Sequence, residues 1–418
     1  MRKKHFLFAS VLALLCGSSA LHAQDFKLTS SGYFKNQGVD IMAFDDIYPE
    51  GHQGGVCIIM NGHRVATNGD IRLEATPGQW QPVPKQLDRK LGDNSITATL
   101  CYPDSSRHLT GFNPMIYPNL HLIYTVNVES KGKNIEVTVD LDRPIPQEFI
   151  GKVGFNLEFF PGSLFGKPWI MDGQSGIFPQ QPNSPLMTTQ PNYLHTGNYH
   201  DGKQSLADMD KLIGKGYSPI VADDIISEPY AKGRKFTSRP DDPYNKVTIE
   251  SLSGDLQLFD GRMNHNNGWF VLRSNIKPGV TKGAVKWIIT PNVVADWMYQ
   301  PVIQTSQIGY HPAQDKEAVI EMDIRDNRKE TAQIIRIDAD GEKVVKNVTP
   351  ANWGKFLRYN YLKVDFTDVK EPGLYKIKYD TSVSPIFRID NDVYARGVWQ
   401  PVLEYFLPVQ MCHMRVNE

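Results

Sequence analysis

The feature that most constrains the fold is strand-type alternation of apolar and polar residues between Gln304 and Asp390. Apolar side chains recur at every second position, as in Ala318, Ile320 and Met322. Further members of the pattern are Ile335, Ile337, Tyr375, Ile377 and Tyr379. Successive side chains of a strand point to opposite faces, so each run predicts a strand with one buried face. Several short strands of this kind predict a small β-sandwich.

Turn residues separate these runs. The tetrapeptide Asp338-Ala339-Asp340-Gly341 predicts a hairpin turn, because Asp and Gly tolerate the positive φ that tight hairpins need. Glu371-Pro372-Gly373 predicts a second tight turn, since proline presets φ and glycine follows it. The acidic run Asp338–Glu342 lacks the twelve-residue ligand series of a calcium loop, so we interpret it as a turn only.

Two segments of this stretch carry a resemblance to a known family. Residues 304–320 are QTSQIGYHPAQDKEAVI, and residues 364–379 are VDFTDVKEPGLYKIKY. Together they resemble the two ends of the N-terminal immunoglobulin-like domain of family 9 glycoside hydrolases, which we expect here over residues 304–389. The resemblance implies that an (α/α)6 catalytic barrel follows this domain directly.

The residues after Asp390 change from strand period to helix period. Apolar residues at spacings of three and four predict an amphipathic helix, and they are Ala395, Trp399, Val402, Leu403 and Phe406. Asp390, Asn391 and Asp392 predict its N-terminal cap, and Pro401 and Pro408 predict a kink or a break. The segment WQPVLEYFLPVQMCHMRVNE resembles the first barrel helix of the same family. We therefore expect residues 390–418 to be the first helix of a truncated barrel.

The resemblance implies inverting hydrolysis, with an aspartate base in an Asp-Ala-Gly-Asp motif and a distant glutamate acid. That motif does not occur in the sequence. Inversion needs two carboxylates about 6.5–9.5 Å apart, and the sequence offers no pair that we can place in that way. We therefore predict no catalytic residue and expect a non-catalytic N-terminal part of an exported glycosidase that acts on β-glucan-type polysaccharide. A stand-alone exported carbohydrate-binding β-sandwich protein is the alternative.

Residues 24–300 predict a large antiparallel β-sandwich with long loops. The strand-like runs are Val56–Met60, Leu120–Val128, Asn134–Leu141, Val153–Phe160, Val247–Ser251, Gly268–Ser274 and Val285–Thr290. Long loops are predicted over Phe165–Asn245, with a short helix around Gln204–Leu212. Residues 50–80 resemble the extra β-domain that some family 9 enzymes carry before the immunoglobulin-like module.

The N-terminus predicts export. Met1–Ala23 has a basic start, an apolar core and a small-residue exit, as signal peptides do. The apolar core of about ten residues is too short to span a bilayer of ~30 Å. We expect a periplasmic or secreted protein. Lipid attachment at Cys16 is the less favoured alternative, because the bulky Leu15 precedes it.

Charge and cysteine usage exclude several classes of partner. The net charge of −1 gives no electrostatic case for binding nucleic acid or an anionic membrane. No cysteine–histidine cluster has zinc-site spacing, and we expect neither cofactor nor metal. Cys57, Cys101 and Cys412 allow at most one internal disulfide, Cys57–Cys101, or else two buried thiols. The oligomeric state stays open.

Exposed aromatic rings stack on the faces of sugars, so aromatic residues in loops are the candidates for carbohydrate binding. We predict Trp80, Trp169 and Tyr199, because Trp80 follows a Pro-Gly turn and the others lie in the loop-rich part. Trp269 and Trp297 lie in or beside strand runs, where core packing is the commoner fate.

Two polar patterns are interpreted as loop features rather than as sites. His195 and His200 do not have the spacing of a known metal site. The adjacent acids Asp45-Asp46, Asp223-Asp224 and Asp241-Asp242 cannot share a face of a strand, so we interpret them as solvated or turn-capping groups.

Overall fold

The structure is a computed structural model of the 418-residue chain. The residues that it describes are 25–45, 54–74, 76–77, 84–104, 120–182, 186–188, 225–263, 268–395 and 397–413. The chain divides into two compact units, Met1–Trp297 and Met298–Glu418. Each unit is mainly β.

The first unit contains twenty strands, counted within the described residues. They are β1 Lys27–Leu28, β2 Phe34–Asn36, β3 Val39–Ala43, β4 Val56–Met60, β5 His63–Leu73, β6 Lys85–Leu91, β7 Ser95–Tyr102, β8 Leu122–Lys131, β9 Asn134–Leu141, β10 Val153–Phe159, β11 Pro168–Met171, β12 Gln174–Ile177, β13 Leu186–Thr188, β14 Ile225–Ser227, β15 Ala231–Gly233, β16 Lys235–Ser238, β17 Val247–Ser251, β18 Leu256–Asp260, β19 Phe270–Asn275 and β20 Val285–Pro291.

These strands form two nine-stranded antiparallel sheets and a separate two-stranded antiparallel sheet of β13 and β14. The strand order is β1-β2-β3-β4-β5-β10-β19-β18-β15 in one sheet and β12-β11-β16-β17-β20-β9-β8-β7-β6 in the other. Side chains from both sheets share one hydrophobic core. Phe155 on β10 meets Trp287 on β20 edge-on at 5.0 Å between ring centroids. The predicted large β-sandwich is therefore confirmed.

The alternation in the sequence locates the core strands well. Val56–Met60, Asn134–Leu141 and Val247–Ser251 are observed with the predicted bounds. The loop prediction for Phe165–Asn245 is wrong in part, because β11, β12, β15 and β16 extend the sheets there. These strands have only three or four residues, too few to show a period. The predicted helix at Gln204–Leu212 lies outside the described residues.

The second unit contains nine strands and one helix among the described residues. They are β21 Val302–Gln304, β22 Glu317–Asp323, β23 Ala332–Asp338, β24 Gly341–Val348, β25 Ala351–Phe356, β26 Tyr359–Asp365, β27 Gly373–Tyr379, β28 Ser382–Val383, β29 Phe387–Ile389 and α1 Gln400–His413. One sheet has the order β21-β22-β26-β25, and the other has the order β24-β23-β27-β28 with β29 also paired to β27.

The predicted small β-sandwich is confirmed in this unit. Ile320 on β22 and Ile377 on β27 lie in one buried core with residues of both sheets. The predicted hairpin turn is also confirmed, since Asp338 pairs with Gly341 and two residues connect β23 to β24. The positive φ of +127° falls on Gly341 itself, just after the two connecting residues.

Residues 309–312, Gly-Tyr-His-Pro, lie near the start of the second unit and are hydrogen-bonded to the chain at strand β29. Tyr310 forms an isolated parallel bridge with Ile389, and its backbone N–H donates to the Arg388 carbonyl at 2.9 Å. The buried Tyr310 ring packs edge-on against Phe366 and Phe387. One tyrosine therefore links both ends of the domain to its core.

The C-terminal helix α1 begins later than predicted. Asp390–Asp392 do not cap it: Asp392 pairs with Arg388 at 3.0 Å, and the helix starts at Gln400. Gly397, at φ +78°, keeps the intervening backbone out of the helical region. Pro401 lies in the first turn, where proline fits, and the helix continues through Pro408 without the predicted break.

Two further observations concern the described residues alone. No helix among them combines the length and apolarity needed to cross a bilayer. No disulfide joins Cys57 to Cys101, and the Cys57 side chain is buried in β4.

Candidate functional site

The structure places one of the three predicted sugar-binding residues. Trp80 and Tyr199 lie outside the described residues. Trp169 lies on β11 and is only 6% exposed. Its ring stacks on Tyr230 at 6.4 Å and covers Gly176, where an added Cβ would lie 2.4 Å from the indole. Trp169 therefore packs within the first unit. Its contact with sugar stays a prediction, and no open face of its ring supports it.

The other sequence candidates are dispersed. Trp269 is half-buried, with its ring edge-on to Phe160 at 4.6 Å. Asp242 caps a turn, because its carboxylate accepts from the Tyr244 N–H at 2.9 Å and from Asn245 at 3.0 Å. His195 and His200 lie outside the described residues. Within those residues, the structure brings no three His, Cys, Asp or Glu side chains into a metal-binding group.

A different set of aromatic residues converges on the outer face of the four-stranded sheet in the second unit. Tyr299, Tyr359, Tyr361 and Trp353 form a continuous series of ring contacts, which we call the aromatic strip. Successive ring centroids lie 5.0, 6.1 and 5.6 Å apart. The strip follows from alternation on β26, where Asn360 and the other inward residues are buried and the two tyrosines point outward.

A β-bulge on the edge strand β25 orients the tryptophan of the strip. Asn352 pairs with Leu362 and Gly354 pairs with Tyr361, so Trp353 is the extra residue between them. Bulges bend the strand and redirect a side chain. Gly354 has φ +124°, a backbone conformation that glycine adopts readily. Trp353 is 57% exposed, as most of the edge strand β25 is.

Glu321 holds two tyrosines of the strip in place. The Tyr299 hydroxyl donates to Glu321 Oε1 at 2.9 Å, and the Tyr361 hydroxyl donates to Glu321 Oε2 at 3.2 Å. Burial and the neighbouring carboxylate raise the pKa of both tyrosines, so the hydroxyls remain protonated. One carboxylate therefore holds two of the rings, while the three tyrosines of the strip remain partly exposed.

One end of the strip borders an open groove of about 220 Å³. Its lining consists of Val319, Trp353, Phe356, Tyr361 and Lys363. The Lys363 ammonium pairs with the Glu317 carboxylate at 2.7 Å, which neutralises the one charged group of the lining. The groove is thus aromatic and electrically balanced, and it can hold an apolar molecular face but has no acid–base pair.

The first unit contains a buried ionic cluster formed by Asp70, Arg72, Glu74, Glu158 and Arg273. The Arg273 guanidinium donates to Glu74 Oε1 at 3.1 Å, and both side chains are 1% exposed. Asp70 accepts a hydrogen bond of 2.7 Å from the hydroxyl of the buried Tyr124. Every carboxylate of this cluster is paired inside the protein, so we interpret the cluster as structural.

Burial raises the pKa of two of these carboxyl groups. It brings the pKa of Asp70 to about 6 and that of Glu74 to about 7, against the opposing effects of Arg72 and Arg273. A raised folded-state pKa means that the folded protein binds more protons than the unfolded chain between about pH 4 and pH 7. The free energy of unfolding therefore falls as pH rises through this window.

We expect the double variant Asp70→Asn/Glu74→Gln to flatten this pH dependence. Each group contributes a slope of at most about 1.4 kcal/mol per pH unit, so the wild-type protein should lose unfolding free energy between about pH 4 and pH 7. Urea unfolding at several pH values, followed by tryptophan fluorescence, measures the slope. An unchanged slope in the double variant would show that other groups cause it.

The sequence did contain a signal for the aromatic strip. Tyr359 and Tyr361 occupy alternate positions of one strand, whereas the intervening Asn360 and Leu362 are buried. Large aromatic rings are unusual on the face of an alternating strand that is expected to be polar. The bulge at Trp353 has no comparable signal, because it depends on the pairing with β26.

Comparisons with known proteins concern mainly the second unit. The family model described as "Cellulase N-terminal ig-like domain" matches residues 298–384. A metagenome-derived glycoside hydrolase family 9 endoglucanase is 31% identical over 22% of this chain and 18% of that chain, with a TM-score of 0.20. The Bacteroides ovatus GH9 structure is 26% identical over 22% of this chain and 16% of that chain, with a TM-score of 0.19.

A mutant of the heparan sulfate lyase HepC from Pedobacter heparinus shares 11% identity over 72% of this chain and 41% of that chain, with a TM-score of 0.25. No curated protein matches the chain. The aligned parts are far below two thirds of the length of these solved structures. The family-model match and the two-sheet sandwich agree with the resemblance seen in the sequence. Residues 298–384 therefore match the cellulase N-terminal immunoglobulin-like domain, which is the similarity that the sequence indicated to the N-terminal part of family 9 glycoside hydrolases.

Proposed function

We propose that the chain is the non-catalytic N-terminal part of an exported glycosidase that hydrolyses β-glucan-type polysaccharide. The observation that carries this proposal is the match of residues 298–384 to the cellulase N-terminal immunoglobulin-like domain. Among the described residues of the first unit, the buried carboxylates of Asp70, Glu74, Glu158 and Asp260 accept hydrogen bonds from protein side chains, which supports a structural role for these four groups.

The helix that follows the immunoglobulin-like domain supports the same proposal. Trp399, Leu403 and Phe406 are 57%, 51% and 53% exposed. An apolar surface of this kind marks a contact with another protein surface. In the proposal these three residues contact the remainder of an (α/α)6 barrel, of which α1 is the first helix. Residues 1–23 act as the signal peptide that exports the protein.

We expect the 418-residue chain to show no turnover of a soluble β-glucan, measured as newly formed reducing ends. The same chain extended by the coding sequence downstream of codon 418 should hydrolyse the glucan, because it then includes the catalytic barrel. Turnover by the 418-residue chain, abolished by substitution of a carboxylate in either unit, would contradict the proposal. A stop codon directly after codon 418 would also contradict it.

A stand-alone exported carbohydrate-binding protein is the second candidate, and the open aromatic strip favours it. Hydrolysis of the glucan by the extended chain distinguishes the two candidates, because only the first candidate predicts it.

A further inference from the structure

We infer that the aromatic strip on the immunoglobulin-like domain is a binding surface for a neutral polysaccharide chain. The class of ligand, a β-glucan-type polysaccharide, rests on the proposed function. The binding role itself is assigned to the immunoglobulin-like domain. It concerns residues of one unit, three of which lie on the neighbouring strands β25 and β26.

The shape of the strip fits a segment of a polymer. Four rings follow one another across the sheet with centroids 5.0 to 6.1 Å apart, and the series ends in the exposed Trp353. The groove beside Trp353 is open and holds about 220 Å³. Pockets that enclose a whole small molecule usually have about 300–1,000 Å³, so this groove suits part of a longer chain.

The chemistry of the strip fits sugar rings. Aromatic faces pack against the C–H faces of sugars, while the ring edges leave room for polar contacts. Tyr361 and Lys363 line the groove, and a hydroxyl and an ammonium are groups that can exchange hydrogen bonds with sugar hydroxyls. A polar rim around an apolar centre is the usual anatomy of a recognition surface.

Charge complementarity favours a neutral ligand over a charged one. The only charged side chain of the groove lining is Lys363, and Glu317 neutralises it at 2.7 Å. Glu321 beneath the tyrosines is engaged by both hydroxyls. An anionic polysaccharide would meet no uncompensated cation in the groove, and a cationic one would have to displace existing partners.

Trp353 is also the bulged residue of the exposed edge strand β25. The extra residue at the bulge makes the edge strand irregular, and it depends on a glycine at φ +124°. No neighbouring atom lies within 4 Å of where a Cβ on Gly354 would stand, so glycine is needed there for φ and not for space. Bulges of this kind occur where a side chain is redirected for function.

The test is native affinity electrophoresis of the full chain in gels that contain a neutral mixed-linkage β-glucan. We expect retardation of the wild-type protein and a loss of affinity of about tenfold or more for Trp353→Ala, with partial recovery in Trp353→Phe. Trp399→Ala is the matched control, because Trp399 is also 57% exposed but lies next to α1, outside the strip. It should bind the glucan as the wild type does. Polygalacturonate, an anionic chain, should not retard any variant.

Several outcomes would overturn the inference. Wild-type protein that is not retarded, or Trp353→Ala that is retarded equally, would show that the strip does not bind glucan. Reduced self-association of Trp353→Ala in sedimentation experiments, with unchanged glucan retention, would identify the strip as a protein contact instead. None of these outcomes affects the hydrolysis expected of the extended chain, so failure of this inference is distinguishable from failure of the proposed function.

Discussion

Replacing Arg273 by methionine is expected to lower the free energy of unfolding of the first unit by about 3–5 kcal/mol. The guanidinium is 1% exposed and donates to Glu74, Asn156 and Asn275 side chains as well as to the Glu74 and Lys152 carbonyls. Methionine fills much of the volume but donates to none of these acceptors. Each buried acceptor left without a donor costs about 1–3 kcal/mol, less whatever the neighbours recover by rearranging.

Urea unfolding of Arg273→Met measures this loss, and Arg234→Met is the matched control. Arg234 also pairs with a carboxylate, that of Asp255 at 3.0 Å, but the two side chains are 50% and 64% exposed. Solvent screens such a pair, so the control should lose at most about 1 kcal/mol.

The loss in Arg273→Met should be larger above about pH 7 than below it, because the pKa of Glu74 is about 7 and below that pH the folded wild-type protein already holds Glu74 protonated. Equal losses in Arg273→Met and Arg234→Met would show that the ionic cluster does not stabilise the fold.

Replacing Gly309 by alanine is expected to destabilise the second unit strongly. Gly309 has φ +105°, and an added Cβ would lie 2.3 Å from the carbonyl oxygen of Arg388. The backbone strain costs about 1–3 kcal/mol, and the displacement of packed backbone costs about 1–3 kcal/mol more. Because the same carbonyl accepts the Tyr310 N–H, the displacement also weakens the bridge between the two ends of the domain.

The variant Gly341→Ala separates the cost of backbone strain from the cost of a steric clash with the added Cβ. Gly341 has φ +127°, but no atom lies within 4 Å of the position of its added Cβ. The Gly341 variant should therefore show the strain alone, and the Gly309 variant should unfold at a clearly lower temperature in calorimetry. Equal midpoints would mean that the contact with the Arg388 carbonyl relaxes freely, contrary to this expectation.

Sequence patterns predicted the parts of the fold that depend on local alternation. Asn134–Leu141 was predicted with its observed bounds, because every second residue is apolar and the opposite face is polar. The hairpin at Asp338–Gly341 followed from turn chemistry in the same way. The helix start was predicted wrongly, since the acids at 390–392 serve a turn and an ion pair with Arg388.

The candidate sites depend on contacts between distant parts of the chain. Glu74 and Arg273 pair across 199 positions, and nothing in one sequence connects them. Trp169 lies in a strand of four residues, too short for its alternation to predict burial. Trp353 is presented by a bulge that exists only once β25 has paired with β26. Local pattern predicts which strands form, but not which side chains meet.

The bridge between Tyr310 and Ile389 has a mechanical consequence. The Tyr310 N–H donates to the Arg388 carbonyl at 2.9 Å, and the Asp390 N–H donates to the Tyr310 carbonyl at 3.1 Å. Because the two segments run parallel, tension between the chain before residue 310 and the chain after residue 390 loads these hydrogen bonds together, in shear. The strands between them are shielded from the load until the bridge breaks. A pull applied at residues 310 and 390 is therefore expected to break this bridge before it extends the strands between them.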